Sequence, residues 1–270
     1  MSDFRYFMEN EDETLRLEMK TDIDKVKRQA IWAGMRPGMR VADLACGPGK
    51  TTRLFHELVQ PEGSAVGIDG SAKRIAYAQE KHSLDGPAFF CRNLLEPFED
   101  LGSFDFVWVR FFLEYHKSDA FKIVDNISHL LNPGGILCLV DLDYNCLSHY
   151  GIPERLQRTI CRVINILEKK ENFDPRVGIK LYSYLYDLGF EKIDIMMEPH
   201  HLIYGNLGVV DEFNWTKKVE VAVKKFQELL DDYENGYDEF YEEFERAFSD
   251  PRRFTYTPLI CCRGGRPIKK

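Results

Sequence analysis

The run Val41-Ala42-Asp43-Leu44-Ala45-Cys46-Gly47-Pro48-Gly49-Lys50-Thr51-Thr52 constrains this chain more than any other segment. It begins as a short apolar stretch, turns through two glycines and passes into a helical pattern. Glycine reaches backbone angles closed to other residues, and its missing side chain lets a ligand approach the main chain. The helix behind such a turn presents unpaired N–H groups, suited to a carboxylate or to ribose hydroxyls. Twenty residues after Gly49, Gly67-Ile68-Asp69-Gly70 ends a second apolar stretch on an acid that can accept from both ribose hydroxyls. The pattern therefore points to a nucleoside-bearing cofactor.

That geometry alone fits NAD as well as S-adenosylmethionine. Two residues separate them. A dinucleotide fingerprint wants Gly or Ala where this chain has Thr52, and Asp43, four residues before Gly47, is foreign to it.

Residues 40–143 alternate short apolar runs with helical patterns, as βαβ units do when they feed a parallel sheet. Strands are expected at 41–46, 65–69, 88–91, 104–110 and 136–141, with Pro133-Gly134-Gly135 stopping a helix before the last of them. Residues 11–35 read as one amphipathic helix. Helices are expected at 153–170 and 178–188, two more within 209–248, and strands at 193–197 and 254–262. The expected fold is α/β: a doubly wound, mostly parallel, seven-stranded Rossmann-like sheet with an N-terminal helix and a helical cap. The expected division is an N-terminal helical segment 1–37, a cofactor-binding core 38–150, a cap 151–252 containing the late strand, and a closing strand and tail 253–270.

The glycine run resembles that of the class I S-adenosylmethionine-dependent methyltransferases. Further matches follow in order: Asp69, Cys91-Arg92-Asn93-Leu94, Phe104-Asp105-Phe106-Val107-Trp108-Val109-Arg110 with Phe111-Phe112-Leu113-Glu114-Tyr115 behind it, and Leu130-Leu131-Asn132-Pro133-Gly134-Gly135. They span residues 38–143, and Asp174-Pro175-Arg176-Val177-Gly178 and Leu188-Gly189-Phe190 look like small-molecule members of the family. The resemblance implies S-adenosylmethionine as cofactor, with ribose at Asp69 and adenine near Asn93 and Leu94. Asn93 stands where the family commonly has Asp, and its carbonyl keeps one acceptor for the adenine amino group.

The cofactor-binding candidates are thus Asp43, Gly47, Gly49, Thr51, Asp69, Gly70, Asn93, Leu94, Arg110 and Phe111, with Tyr6 and Arg16 closing over them from the N-terminal segment. Asp43 can instead brace the loop. His116 is the best-placed histidine for a base. Tyr115, Tyr144, Trp215 and the His200-His201 pair are candidates for the acceptor pocket. Asp141 and Asp143 flank the end of a strand, but without a third ligand at metal spacing no metal is expected.

A formal charge of −8 disfavours nucleic acid, which needs clustered Lys and Arg, and leaves a small-molecule acceptor as the expected partner. The densest charge run, 228–250, holds ten acids against the single base Arg246, yet Tyr237, Phe240, Tyr241, Phe244 and Phe248 fall at helical spacing within it. It reads as an amphipathic helix with a solvated acidic face. No run approaches the roughly 18 apolar residues of a membrane span, and the N-terminus lacks a leader pattern, so no membrane partner and a cytoplasmic location are expected. Seven cysteines without zinc spacing read as reduced and structural. The expected activity is methyl transfer to a small molecule; the rivals are a nicotinamide-dependent oxidoreductase and a non-catalytic S-adenosylmethionine-binding regulator. The acceptor atom and the oligomeric state stay open.

Overall fold

The computed structural model describes residues 8, 13–84, 86–98 and 100–268. The N-terminal helical pattern divides into α1 (Glu13–Lys20) and α2 (Ile23–Ala33). The break falls at Asp22, whose extended backbone and side-chain bond to the Lys25 amide at 3.1 Å start α2 afresh. Aspartate competes in this way with helical pairing and favours caps. Gly34, at φ 103°, closes α2 by donating to the Ala30 and Ile31 carbonyls.

The core follows as β1 (Arg40–Leu44), α3 (Lys50–Val59), β2 (Ser64–Asp69), α4 (Ala72–His82), β3 (Ala88–Cys91), β4 (Phe104–Arg110), α5 (Ala120–Ser128) and β5 (Leu131–Leu142). The strand β5 begins earlier than the sequence predicts. Leu131 already pairs with Phe104, and the register shift before Phe106 absorbs Pro133-Gly134-Gly135 as an irregularity within the strand. Then come the two-residue β6 (His149–Tyr150), α6 (Glu154–Lys170), α7 (Leu181–Asp187), β7 (Glu191–Ile203), α8 (Val209–Lys225), α9 (Gly236–Ser249) and β8 (Phe254–Gly265).

The sheet runs β3-β2-β1-β4-β5-β8, with β7 and the short β6 on the far side of β8. The first five strands are parallel, and β8 is antiparallel to β5 and β7. Strand order reverses between β1 and β4, so the connections leaving their carboxyl ends diverge and open a crevice there.

Side chains alternate across the sheet as the strand period requires. In β4, Val107 and Val109 pack with Ile123, Val124, Leu181 and Leu185 on one face, while Phe106 and Trp108 pack with Val26, Ala30, Leu54 and Phe55 on the other. Two helical layers therefore cover one sheet.

Helices α6, α8 and α9 share a separate apolar core that includes Leu156, Ile164, Trp215, Val219, Phe240, Phe244 and Phe248. The stripe expected between 237 and 248 is the buried face of α9. Its acids are less solvated than the sequence suggests, because Arg155 of α6 pairs with Glu239 at 2.7 Å and with Glu243 at 3.0 Å. Arg162 reaches Asp231 at 2.7 Å. Between α6 and α8 the chain returns to the main sheet as β7, which pairs with β8 from Glu191 to Ile203 and is much longer than residues 193–197. All seven cysteines are free. No helix among the described residues is long and apolar enough to cross a membrane.

Candidate cofactor and acceptor sites

The backbone of the glycine turn is set by sterics. Gly49 sits at φ 91°, where an added Cβ would meet Ala78 Cβ and the Phe89 ring at 2.8 Å. Gly47, at φ 56°, has only Leu17 near its missing Cβ, at 3.7 Å, so its main chain faces open space. Ala45 (φ 57°) and Phe111 (φ 54°) also adopt left-handed angles, at the carboxyl ends of β1 and β4. Non-glycine residues hold such angles only where the surroundings impose them.

Asp43 is buried in β1 and accepts the Thr52 hydroxyl at 2.6 Å. Burial raises its carboxyl to about 7, against the opposing effects of that hydrogen bond and of Arg110. Thr52 thus has a defined role where a dinucleotide fingerprint wants glycine or alanine. Room for it comes from Gly67, opposite Asp43 in the sheet, whose Cβ would lie 2.8 Å from the Thr52 hydroxyl.

Asp69 ends β2 and is held from three directions. Its Oδ2 accepts the Gly47 amide at 2.9 Å; its Oδ1 accepts the Ser71 amide at 2.8 Å and Arg74 Nε at 3.3 Å. Three of the carboxylate's roughly four acceptor positions are engaged. The Arg74 contact is the longest of the three. Asn93 turns its carbonyl onto the Leu95 amide at 3.1 Å, leaving its amide donors available.

These residues line a cavity of about 900 Å³ at the strand carboxyl ends. Asp43, Gly47, Thr51, Asp69, Gly70, Asn93, Leu94, Arg110, Phe111, Tyr115 and His116 all face it. Gly49 does not; it shapes the turn from behind. Leu17, Lys20 and Thr21 form the opposite wall, and Lys50 ties that wall to the turn by donating to the Glu18 and Thr21 carbonyls at 2.9 and 3.1 Å.

Arg110 stacks on Phe111 at 4.1 Å, and its buried Nε has no hydrogen-bond partner among the described residues. Burial lowers the guanidinium to about 10. An orphaned donor in this wall fits a ligand carboxylate. His116 lies against Phe112 at 4.4 Å, and burial pulls its imidazole down to about 4, which makes it a weak base near neutrality.

A second cavity, of about 80 Å³, lies under the cap and shares Lys20 and Tyr115 with the first. Arg16 and Trp215 line this one. Arg16 does not face the larger cavity; it makes a two-point bond to Glu13 at 2.7 and 2.8 Å and reaches Asn214 at 2.7 Å, joining α1 to α8. Tyr144 lines neither cavity and packs under Arg176 at 4.8 Å. Tyr6 lies outside the described residues. Asp141 is structural: it accepts the Leu113, Glu114 and Leu142 amides, and burial followed by the charge of Glu114 holds its carboxyl well above the usual range. Among the described residues no cluster of three or more metal-ligating side chains occurs.

The reading of the sequence missed Lys20, Lys218 and Glu114, all of which line the second cavity. Residues 42–139 match the family described as Methyltransferase domain. The match covers the sheet core, from β1 into β5. The chain is 33% identical over 109 residues to a demethylmenaquinone methyltransferase of Staphylococcus aureus, covering 39% of this chain. The chain spans 44% of the length of that relative. Phosphoethanolamine N-methyltransferase 2 of Haemonchus contortus, solved with phosphomonomethylethanolamine and S-adenosylhomocysteine, is similar in fold. Its TM-score is 0.60 at 16% identity, over 99% of this chain and 61% of that one. The cyclase SpnF has a TM-score of 0.53 at 17% identity, over 92% of this chain and 82% of its own.

Proposed function

We propose that the chain transfers the methyl group of S-adenosylmethionine to a small organic acceptor held beneath α6, α8 and α9. The observation that carries this reading is that two cavities share Lys20 and Tyr115 as lining residues, one lined by the glycine turn and Asp69, the other by the apolar cap. The cofactor supplies a methyl group activated on a positive sulfur, and the protein's task is alignment and exclusion of water.

Each residue has a part in that task. Asp69 takes the ribose, Asn93 and Leu94 the adenine, and Arg110 with the amides behind Gly47 the carboxylate. Thr52 fixes Asp43 in the wall beside them. Tyr115 lines both cavities, where donor and acceptor must approach in line. Trp215 shapes the acceptor end.

The likeness to SpnF supports a second reading, in which the same fold binds a ligand without transferring a methyl group. One experiment separates the two. The protein is incubated with methyl-labelled S-adenosylmethionine and a metabolite extract. Label appearing in an organic product, with matching formation of S-adenosylhomocysteine, supports methyl transfer; binding of S-adenosylhomocysteine without turnover on any fraction supports the second reading.

A further inference from the structure

We infer that the acceptor is an organic anion, an apolar body bearing a carboxylate-class oxygen that Lys218 and Lys20 hold where the two cavities meet. This deepens the methyl-transfer reading and rests on it.

The second cavity is walled largely by Ile160, Ile164, Phe173, Trp215, Val219 and Phe240. Into this apolar space α8 sends Lys218. Its ammonium lies 5.2 Å from the Trp215 ring, 3.4 Å from His201 Nε2 and 3.7 Å from Cys146 Sγ. None of these partners is an anion. Burial pulls His201 down to about 3 and pushes the Cys146 thiol up, so both are neutral near pH 7. The ring of His201 stands between Lys218 and Asp211, which approaches Nδ1 at 3.8 Å.

The other lysines of α8 are served differently. Lys217 and Lys224 pair with Glu220, and Lys225 pairs with Glu171. Lys218 alone among them faces the cavity.

Lys20 approaches the same place from α1, with its ammonium 5.0 Å from the Phe111 ring. Burial lowers its pKa well below the usual value, and the charges of Arg16 and Lys218 lower it further. No described carboxylate forms an ion pair with either lysine. The acids nearby are engaged elsewhere: Glu13 holds Arg16 at two points, and Glu114 accepts Asn145 Nδ2 at 2.8 Å. Among the described residues, Arg16, Lys20 and Lys218 line this cavity with the single acid Glu114, and Glu13 pairs with Arg16. An unbalanced positive charge in apolar surroundings is costly, and an anionic ligand removes the imbalance. The excess sits at the junction because Lys20 lines both cavities, which places the anion beside the transferred methyl group.

The test uses three probes of one shape: benzoate, benzyl alcohol and benzylamine, titrated calorimetrically into the full chain saturated with S-adenosylhomocysteine. Benzoate is expected to bind about tenfold or more tightly than either of the others, the scale of one charged hydrogen bond. Lys218→Met should abolish that preference and Lys218→Arg should keep it, with S-adenosylhomocysteine affinity unchanged in both. Equal affinities, a preference for benzylamine, or no binding of any probe overturns the inference. Failure of S-adenosylhomocysteine to bind in the preceding titration instead counts against the methyl-transfer reading, and the three probes are then compared on the free protein.

Discussion

The Thr52 hydroxyl is bound to the buried carboxylate of Asp43 at 2.6 Å, across the turn from β1 into α3. Burial of that carboxyl, which the bond opposes, makes the wall of the cavity sensitive to pH. An aspartate titrates near ~3.9 in an unfolded chain, whereas burial raises Asp43 to about 7. The folded protein holds that proton more tightly than the unfolded one. Its contribution to stability is therefore full below about pH 4 and is lost as the pH rises through about 7. Asp43→Asn should flatten this part of the curve of Tm against pH. Thr52→Val, which removes a bond favouring the charged form, should move the decline to higher pH. A decline unchanged in both variants would assign it to other groups.

The same charge bears on cofactor choice. Above about pH 7 an ionised Asp43 faces the cavity, and the positive sulfur of S-adenosylmethionine gains from it while neutral S-adenosylhomocysteine does not. The affinity ratio of the two, measured by calorimetry, should rise with pH in the wild type and stay level in Asp43→Asn.

Gly49→Ala places a methyl group 2.8 Å from Ala78 and Phe89 at a φ of 91°. Strain and overpacking together should cost about 1–3 kcal/mol or more, read as a lower denaturation midpoint. Gly47→Ala meets only Leu17 at 3.7 Å, so its larger effect should be on S-adenosylhomocysteine affinity. Equal losses of stability in the two variants would contradict this division.

Trp215 touches Phe248, His149 and His201 with ring centroids 4.9, 5.4 and 5.6 Å away. Trp215→Ala should cost about 3–5 kcal/mol as a buried cavity, while Trp215→Phe keeps the fold. Both should bind S-adenosylhomocysteine normally and lose turnover with the acceptor. Full turnover in Trp215→Ala would remove this residue from the acceptor site.

His116 is a neutral, weakly basic imidazole at about 4. An acceptor that arrives ionised needs no base. His116→Asn should leave the acid limb of the pH–rate profile in place and lower kcat by less than the roughly 10²-fold loss of a general base. Disappearance of that limb would restore His116 as the base.

What was legible in the sequence was what is encoded locally. Gly47 and Gly49 announce their backbone angles, and Asp69 follows at a spacing that one βαβ unit fixes. Thr52 could be seen to break a dinucleotide pattern, but its bond to Asp43 needs the strand and helix assembled. The acceptor end was illegible for a similar reason. Arg16 and Asn214 stand 198 positions apart and meet only once α1 packs on α8. Lys218 sits in a helix with Lys217, Lys224 and Lys225, and nothing in that pattern tells the inward lysine from the solvated ones. The division of 11–35 into two helices turned on one capping aspartate, which periodicity does not register.

The most direct measurement is calorimetric titration of the wild type and Asp69→Ala with S-adenosylhomocysteine and with NAD. S-adenosylhomocysteine is expected to bind the wild type and NAD to give no binding heat, with Asp69→Ala weakening the former by about 1–3 kcal/mol, the scale of a charged hydrogen bond. Equal binding of NAD and S-adenosylhomocysteine, or an affinity untouched by the loss of Asp69, would contradict it.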